Sequence, residues 1–167
     1  MFAADTPDGG LVEDGTSTAI TSFGIDVPML VQAKVSPQAT PKVLTAGTMT
    51  SEQTVGIPIC VYSNDGEARN YKIKVTGANA DGTAFKALLD GSETIKLAYT
   101  LDYTDQAAMG SGTEYSKAGA ALVFCNVSGT YNKELTARFS AVNMQAAPEG
   151  MYNDTLTIDV SPETGTD

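Results

Sequence analysis

Cys60 and Cys125 are the only thiols of the chain, and histidine is absent from all 167 residues. Each cysteine sits inside an apolar, strand-like run, VGIPICVYS and ALVFCNV. Two readings stand: a pair of buried free thiols, or one disulfide formed in an oxidising compartment. Neither cysteine has the close Cys-x-x-Cys neighbour of a zinc or redox site. Without histidine a mixed Cys/His zinc site, a Ser-His-Asp triad and a His general base are all excluded. Asp102, Asp105 and Glu114 fall in or near one polar stretch. Paired acids of that kind do glycosidic acid/base work, but acids on loops are ordinarily solvated surface. Asp5, Asp8 and Asp14 offer the oxygen ligands calcium prefers, at a spacing that fits no known calcium loop. There is no Gly-x-Ser-x-Gly elbow and no phosphate-cradling glycine loop. The expectation is a protein that is not an enzyme and carries no metal or cofactor.

Bulk properties narrow the partners. The formal charge is −10, and the ten basic residues are scattered singly. No cluster could track a phosphate backbone or dock on anionic lipid, so neither nucleic acid nor a membrane surface is an expected partner. No apolar run approaches the ~20 residues needed to span a bilayer. Hydrophobic content of 42% supports one well-cored domain, and only 18% of residues are charged while Thr, Ser, Ala and Gly abound. This composition suits a secreted β-protein and favours the disulfide. Closing a loop of 65 positions, it would contribute on the order of 4 kcal/mol in the chain-entropy account.

The elements that must position these residues read as strands. Met29–Val35, Val43–Met49 and Thr54–Tyr62 come first, then a tight reversal at Asn64-Asp65-Gly66. Tyr71, Ile73 and Val75 alternate with Lys72 and Lys74. Phe85, Ala87 and Leu89 lead into Asp90-Gly91-Ser92, and Ile95, Leu97, Tyr99, Leu101 and Tyr103 follow in alternation, which predicts a hairpin. Residues 104–118 read as a long polar loop. Ala120–Val127 and the alternation through Leu135, Ala137, Phe139 and Ala141 supply two more strands, Val142–Ala147 one helical turn, and Tyr152–Val160 a last strand. Leu156, Ile158 and Val160 share one face of it. Short strands at this spacing predict an all-β sandwich.

Ala19–Val27, AITSFGIDV, is also strand-like, with Phe23, Ile25 and Val27 on one face and Ser22, Gly24 and Asp26 on the other. It follows an acidic, Gly- and Thr-rich leader and ends at Pro28, which cannot donate to a ladder. Such a strand either completes its own domain as an edge or is given to a neighbour.

The end of the chain, Pro148-Glu149-Gly150-Met151-Tyr152-Asn153-Asp154-Thr155-Leu156-Thr157, resembles the P-x-G-x-Y-x-D-T-L-T signature of chaperone–usher pilins. It looks most like the archaic, spore-coat-U-like and alpha-fimbrial groups. Cys60-Val61-Tyr62-Ser63-Asn64, Tyr71-Lys72-Ile73-Lys74-Val75 and the distant Cys125 look like that group's first cysteine, following strand and disulfide partner. Ile25-Asp26-Val27-Pro28 sits where such pilins pass from donor strand to first domain strand. The acidic leader and the tail 163–167 are longer than usual for the group.

The resemblance implies an incomplete immunoglobulin-like β-sandwich, 28–162, preceded by a leader and donor strand, 1–27. Donor contacts would be Phe23, Ile25 and Val27, with Ala19 and Thr21 as smaller ones. The receiving groove would be edged by Leu156, Ile158 and Val160. The implied partners are identical or related pilin subunits in a head-to-tail filament, a periplasmic chaperone and an outer-membrane usher. The implied location is an extracellular fimbrium of a Gram-negative bacterium, with no membrane insertion. The rival expectation is a self-contained immunoglobulin-like binding module or a minor or tip adhesin subunit, with Tyr99, Tyr103, Tyr115 and Tyr131 as a possible carbohydrate patch. Tyr99 and Tyr103 lie on the core-facing alternation and read better as packing.

Overall fold

The computed structural model of the chain describes residues 24–25, 29–36, 48–121, 124–125 and 131–163. Nearly all of the regular structure is antiparallel β. The strands are β1 (Val31–Val35), β2 (Gln53–Ser63), β3 (Tyr71–Gly77), β4 (Phe85–Leu89), β5 (Lys96–Tyr103), β6 (Gln106–Met109), β7 (Glu114–Lys117), β8 (Lys133–Phe139), β9 (Tyr152–Asn153) and β10 (Leu156–Ser161). A 3-10 turn, Thr48–Thr50, and a short helix α1, Ala141–Ala146, complete the set.

Two layers result. One sheet runs β1-β2-β8-β5-β4-β9, with β6 also paired to β5; the other runs β10-β3-β7. Each contributes one face to a common core, as the two-residue period requires. In β3, Tyr71, Ile73 and Val75 are buried. The outward lysines pair across the ladder, Lys72 with Glu114 at 3.3 Å and Lys74 with Asp159 at 3.2 Å. Opposite them lie Phe85 and Ala87 of β4, Leu97, Tyr99, Leu101 and Tyr103 of β5, and Leu135 and Ala137 of β8. The Tyr71 and Tyr103 hydroxyls meet at 2.7 Å, a buried hydrogen bond between the two layers. Burial raises both phenol pKa values, so both stay protonated.

The sandwich has two ends. At the near end β2 turns into β3 through residues 64–70, beside the start of β1, where Leu30 N–H donates to Asn64 Oδ1 at 2.6 Å. At the far end the β4–β5 hairpin turns at Asp90-Gly91-Ser92, with Gly91 at φ +74°. Beside it lie α1 and the stretch before β9. Ser140 caps α1 by accepting from Asn143 N–H.

Four expectations change. Residues 104–118 are not one loop but hold β6 and β7. Each strand has a single apolar anchor, Met109 and Tyr115, too few to show as alternation among polar neighbours. The expected strand 43–49 gives way at its end to the 3-10 turn, and its remainder lies outside the described residues. Within the expected strand 120–127, Ala121 makes only an isolated parallel bridge to Tyr62 and Cys125 sits in a turn. The predicted last strand is also divided, as described next.

Candidate strand-docking groove

The division falls at Asp154. Tyr152-Asn153 pair with Leu89 and Leu88 in one sheet, whereas Leu156–Ser161 pair with Gly77–Lys72 in the other. The chain therefore changes layers within three residues, and the surrounding side chains fix how it does so. Gly150 has φ +151°, a conformation that residues with a side chain rarely adopt, and a Cβ there would also press on Leu89 Cδ1, so glycine is favoured. Tyr152 O–H donates to the Pro148 carbonyl at 2.9 Å. Asp154 Oδ1 accepts from Asn79 N–H at 3.1 Å, Asn79 Nδ2 at 3.0 Å and Thr155 N–H at 2.9 Å. Its Oδ2 accepts from Tyr99 O–H at 2.6 Å. Burial, then the bond to Asp154, pushes the Tyr99 phenol far up, so the hydroxyl is always available as the donor.

Set by this corner, β10 presents Leu156, Ile158 and Val160 to the core and Thr157, Asp159 and Ser161 outward. The three apolar residues are packed against the core yet only half-buried. One edge of β10 is bonded to β3; among the described residues nothing pairs with the other. β1 is its counterpart in the opposite layer, laddered to β2 from Val31–Ser63 to Val35–Ile59 and free on its outer edge among the described residues. β1 and β10 approach to within 8 Å between Cα atoms without forming a ladder. The result is a seam flanked by two open strand edges and floored by apolar side chains. An open, partly apolar edge is a template for a further strand.

Cys60 and Cys125 are joined by a disulfide. The covalent link ties β2 to the segment beside β1, because Cys125 N–H donates to Gln32 Oε1 at 2.9 Å. Gln32 thus holds one wall of the seam, a role sequence reasoning missed. Its signal was a lone amide in the otherwise aliphatic and cationic run MLVQAKV.

Of the expected donor residues, Ile25 is 83% exposed; Ala19, Thr21, Phe23 and Val27 lie outside the described residues, as do Asp5, Asp8 and Asp14. Of the candidate acids, Asp102 and Asp105 line one open surface pocket with Glu134 and Arg138, Glu114 lies outside it, and each of the three is held in an ion pair. Asp102 pairs with Arg138, Asp105 with Lys117 at 3.2 Å, and Glu114 with Lys72. The tyrosines do not form a surface patch: Tyr99 and Tyr103 are buried in the core and Tyr115 packs against it. Among the described residues there is no metal-ligating cluster, and no helix is long and apolar enough to cross a membrane.

Asp102 has a testable consequence. A hydrogen bond from Ala108 N–H, and the Arg138 guanidinium, hold its carboxyl below the usual range. A carboxyl lowered in the folded state adds stability above its unfolded pKa, about 4, and loses it as pH falls through the lowered value. Asp102→Asn is therefore expected to flatten the decline in stability below about pH 4 while leaving its slope near neutrality unchanged. Denaturant midpoints from pH 2 to 7 check this; an unaltered acid limb would refute it.

No protein-family profile matches the chain, and no curated protein sequence does. Its fold is similar to that of a chain in the solved chaperone–tip adhesin complex of CFA/I fimbriae biogenesis, with a TM-score of 0.59 and 12% sequence identity. The match covers 80% of this chain and 42% of that one, so this chain spans less than half of its structural neighbour.

Proposed function

We propose that the chain is a structural subunit of a bacterial surface fibre, polymerising by donor-strand exchange. The observation that carries this reading is the seam between β1 and β10, with Leu156, Ile158 and Val160 half-covered beside an unpaired strand edge. The chain also carries a segment of matching period, Phe23, Ile25 and Val27, ahead of the sandwich. Residues two apart along a strand project on the same side at intervals of about 6.6 Å. A donor row and a receiving row of three therefore run in step. Main-chain bonds to the open edge of β10 would give affinity, and the alternate apolar side chains would give register.

In this reading 1–27 is leader plus donor, 28–162 the receiving domain and 163–167 a tail. A periplasmic chaperone lends a strand to the seam until an outer-membrane usher passes the subunit to its neighbour. The joint is head-to-tail and so extends as a filament. The likeness to a chain of a fimbrial chaperone–adhesin complex agrees with this assignment at the level of fold.

The test compares the full chain with a version lacking residues 1–27. The full chain is expected to form linear oligomers resistant to heat and detergent. The truncated chain is expected to form none, yet to gain stability when a peptide of residues 16–28 is added. Ile158→Asp in the full chain is expected to abolish the oligomers by placing a charge in the seam. If full and truncated chains are equally stable monomers without peptide, the domain completes itself and the subunit reading fails.

A further inference from the structure

The large apolar side chains that remain exposed are not spread evenly. Met29 (50% exposed), Leu30 (42%) and Phe124 lie at the near end of the sandwich, Phe124 with its ring 4.5 Å from that of Tyr62. Ile95 (39%), Met151 (47%) and Val142 (75%) lie at the far end. There Leu89 N–H donates to the Ile95 carbonyl at 2.9 Å and Asp90 N–H to the Met151 carbonyl at 2.7 Å, which sets those two residues on either side of β4. Val142 is on α1, whose Asn143 side chain donates to the Ala98 carbonyl of β5. Among the described residues, apart from Ile25 in the N-terminal segment, only Val35 on β1 belongs to neither end.

Exposed apolar residues gathered at both ends of a domain suit end-to-end stacking. Resting on the donor-strand reading above, the chain length decides what stacks. Only residues 28–30 separate Val27, the last donor residue, from Val31, the first residue of β1. Four residue steps reach at most about 14 Å when fully extended, and Pro28 restricts the path further. A donor seated up to Val27 in a neighbour's seam must therefore draw that neighbour against the near end of its own domain.

The neighbour's end is fixed by a second argument. Every subunit's donor departs from its near end. If a near end met another near end, the receiving subunit's own donor would leave into the same junction, and the joint would close on itself rather than repeat. The near end must meet the neighbour's far end. The donor then leaves the seam beside residues 154–156, running antiparallel to β10.

We infer that the far end of the sandwich, centred on Ile95 and Met151, is the seat for Met29 and Leu30 of the adjoining copy. This second contact is separate from the donor strand and sets the angle between successive subunits. The partner is a second copy of this chain, and the contact is apolar on both sides.

The test is cross-linking within assembled full-length oligomers. Leu30→Cys with Met151→Cys, treated with a short bismaleimide after assembly, is expected to give a covalent ladder of dimers, trimers and higher species. Leu30→Cys with Ala107→Cys, the latter just after the β5–β6 turn at the near end and so remote from the neighbour's far end, is expected to give at least tenfold less ladder. Both cysteine positions are exposed, so folding is retained, and the ends are too far apart to cross-link within one copy. Oligomers that assemble but give no 30–151 ladder would overturn the stacking contact and leave the donor-strand reading standing. Absence of oligomers in the unmodified chain would overturn both.

Discussion

Replacing Cys60 and Cys125 together by alanine is expected to lower the unfolding free energy of the full chain by about 4 kcal/mol. The bridge closes a loop of sequence separation 65, and constraining the unfolded chain over such a length is worth about that much. Domains of this kind have a total margin of about 5–15 kcal/mol, so the loss removes a large share of it and lowers the denaturant midpoint accordingly. The loss should not be uniform. Cys125 also holds Gln32 through its backbone N–H, so β1 should lose protection from amide exchange before β3 or β5 does. Denaturant melts with and without reductant, followed by exchange measured strand by strand, would check both parts. A loss under 1 kcal/mol, or uniform loss of protection, would contradict them.

Asp154→Ala is expected to cost about 3 kcal/mol, through a different mechanism. The carboxylate takes hydrogen bonds from Asn79, Thr155 and Tyr99 at the point where the chain crosses between sheets. Removing it leaves the largely buried Tyr99 hydroxyl without an acceptor. Hydrogen bonds to a charged acceptor are worth more than neutral ones, and a buried orphan group carries its full desolvation penalty. The corner also sets the register of β10 on β3, so the variant should bind the 16–28 peptide at least tenfold more weakly. Asp154→Asn keeps an acceptor and should lose about 1 kcal/mol. Equal losses for Ala and Asn would show that packing rather than hydrogen bonding holds the corner. Unchanged peptide affinity in Asp154→Ala would show that the corner does not govern the seam.

The sequence was most readable where alternation coincides with burial. Tyr71-Ile73-Val75 and Leu97-Tyr99-Leu101-Tyr103 carry large apolar residues at every second position, and each forms the strand expected of it. β6 and β7 were hidden because an edge strand needs only one buried anchor, and Met109 or Tyr115 alone has no period. The break at Asp154 was hidden for the opposite reason. Tyr152, Leu156, Ile158 and Val160 share one parity across it, with Asp154 itself as a single polar residue in the row, although the residues on either side of it pair in different sheets. Alternation reports which way side chains point, not which sheet receives the backbone. The signature residues Gly150, Tyr152 and Asp154 were legible as a motif, whereas their reasons, a clash with Leu89, a bond to Pro148 and a hub for Asn79 and Tyr99, required coordinates. A groove edged by Leu156, Ile158 and Val160 was expected only through the resemblance; no pattern in the residues themselves reveals it, because an unpaired edge is a property of neighbours.

The placement of β1 also determines how the domain bears traction. Tension applied ahead of Met29 runs along the axis of β1, whose five residues are laddered antiparallel to the end of β2. Load in that direction shears the rungs together instead of peeling them one at a time, so rupture requires several hydrogen bonds to fail at once. Cys60 lies within the same ladder, opposite Lys34, and its disulfide hands part of the force to a covalent bond. The strand that leads out of the domain is thereby loaded in its more resistant direction.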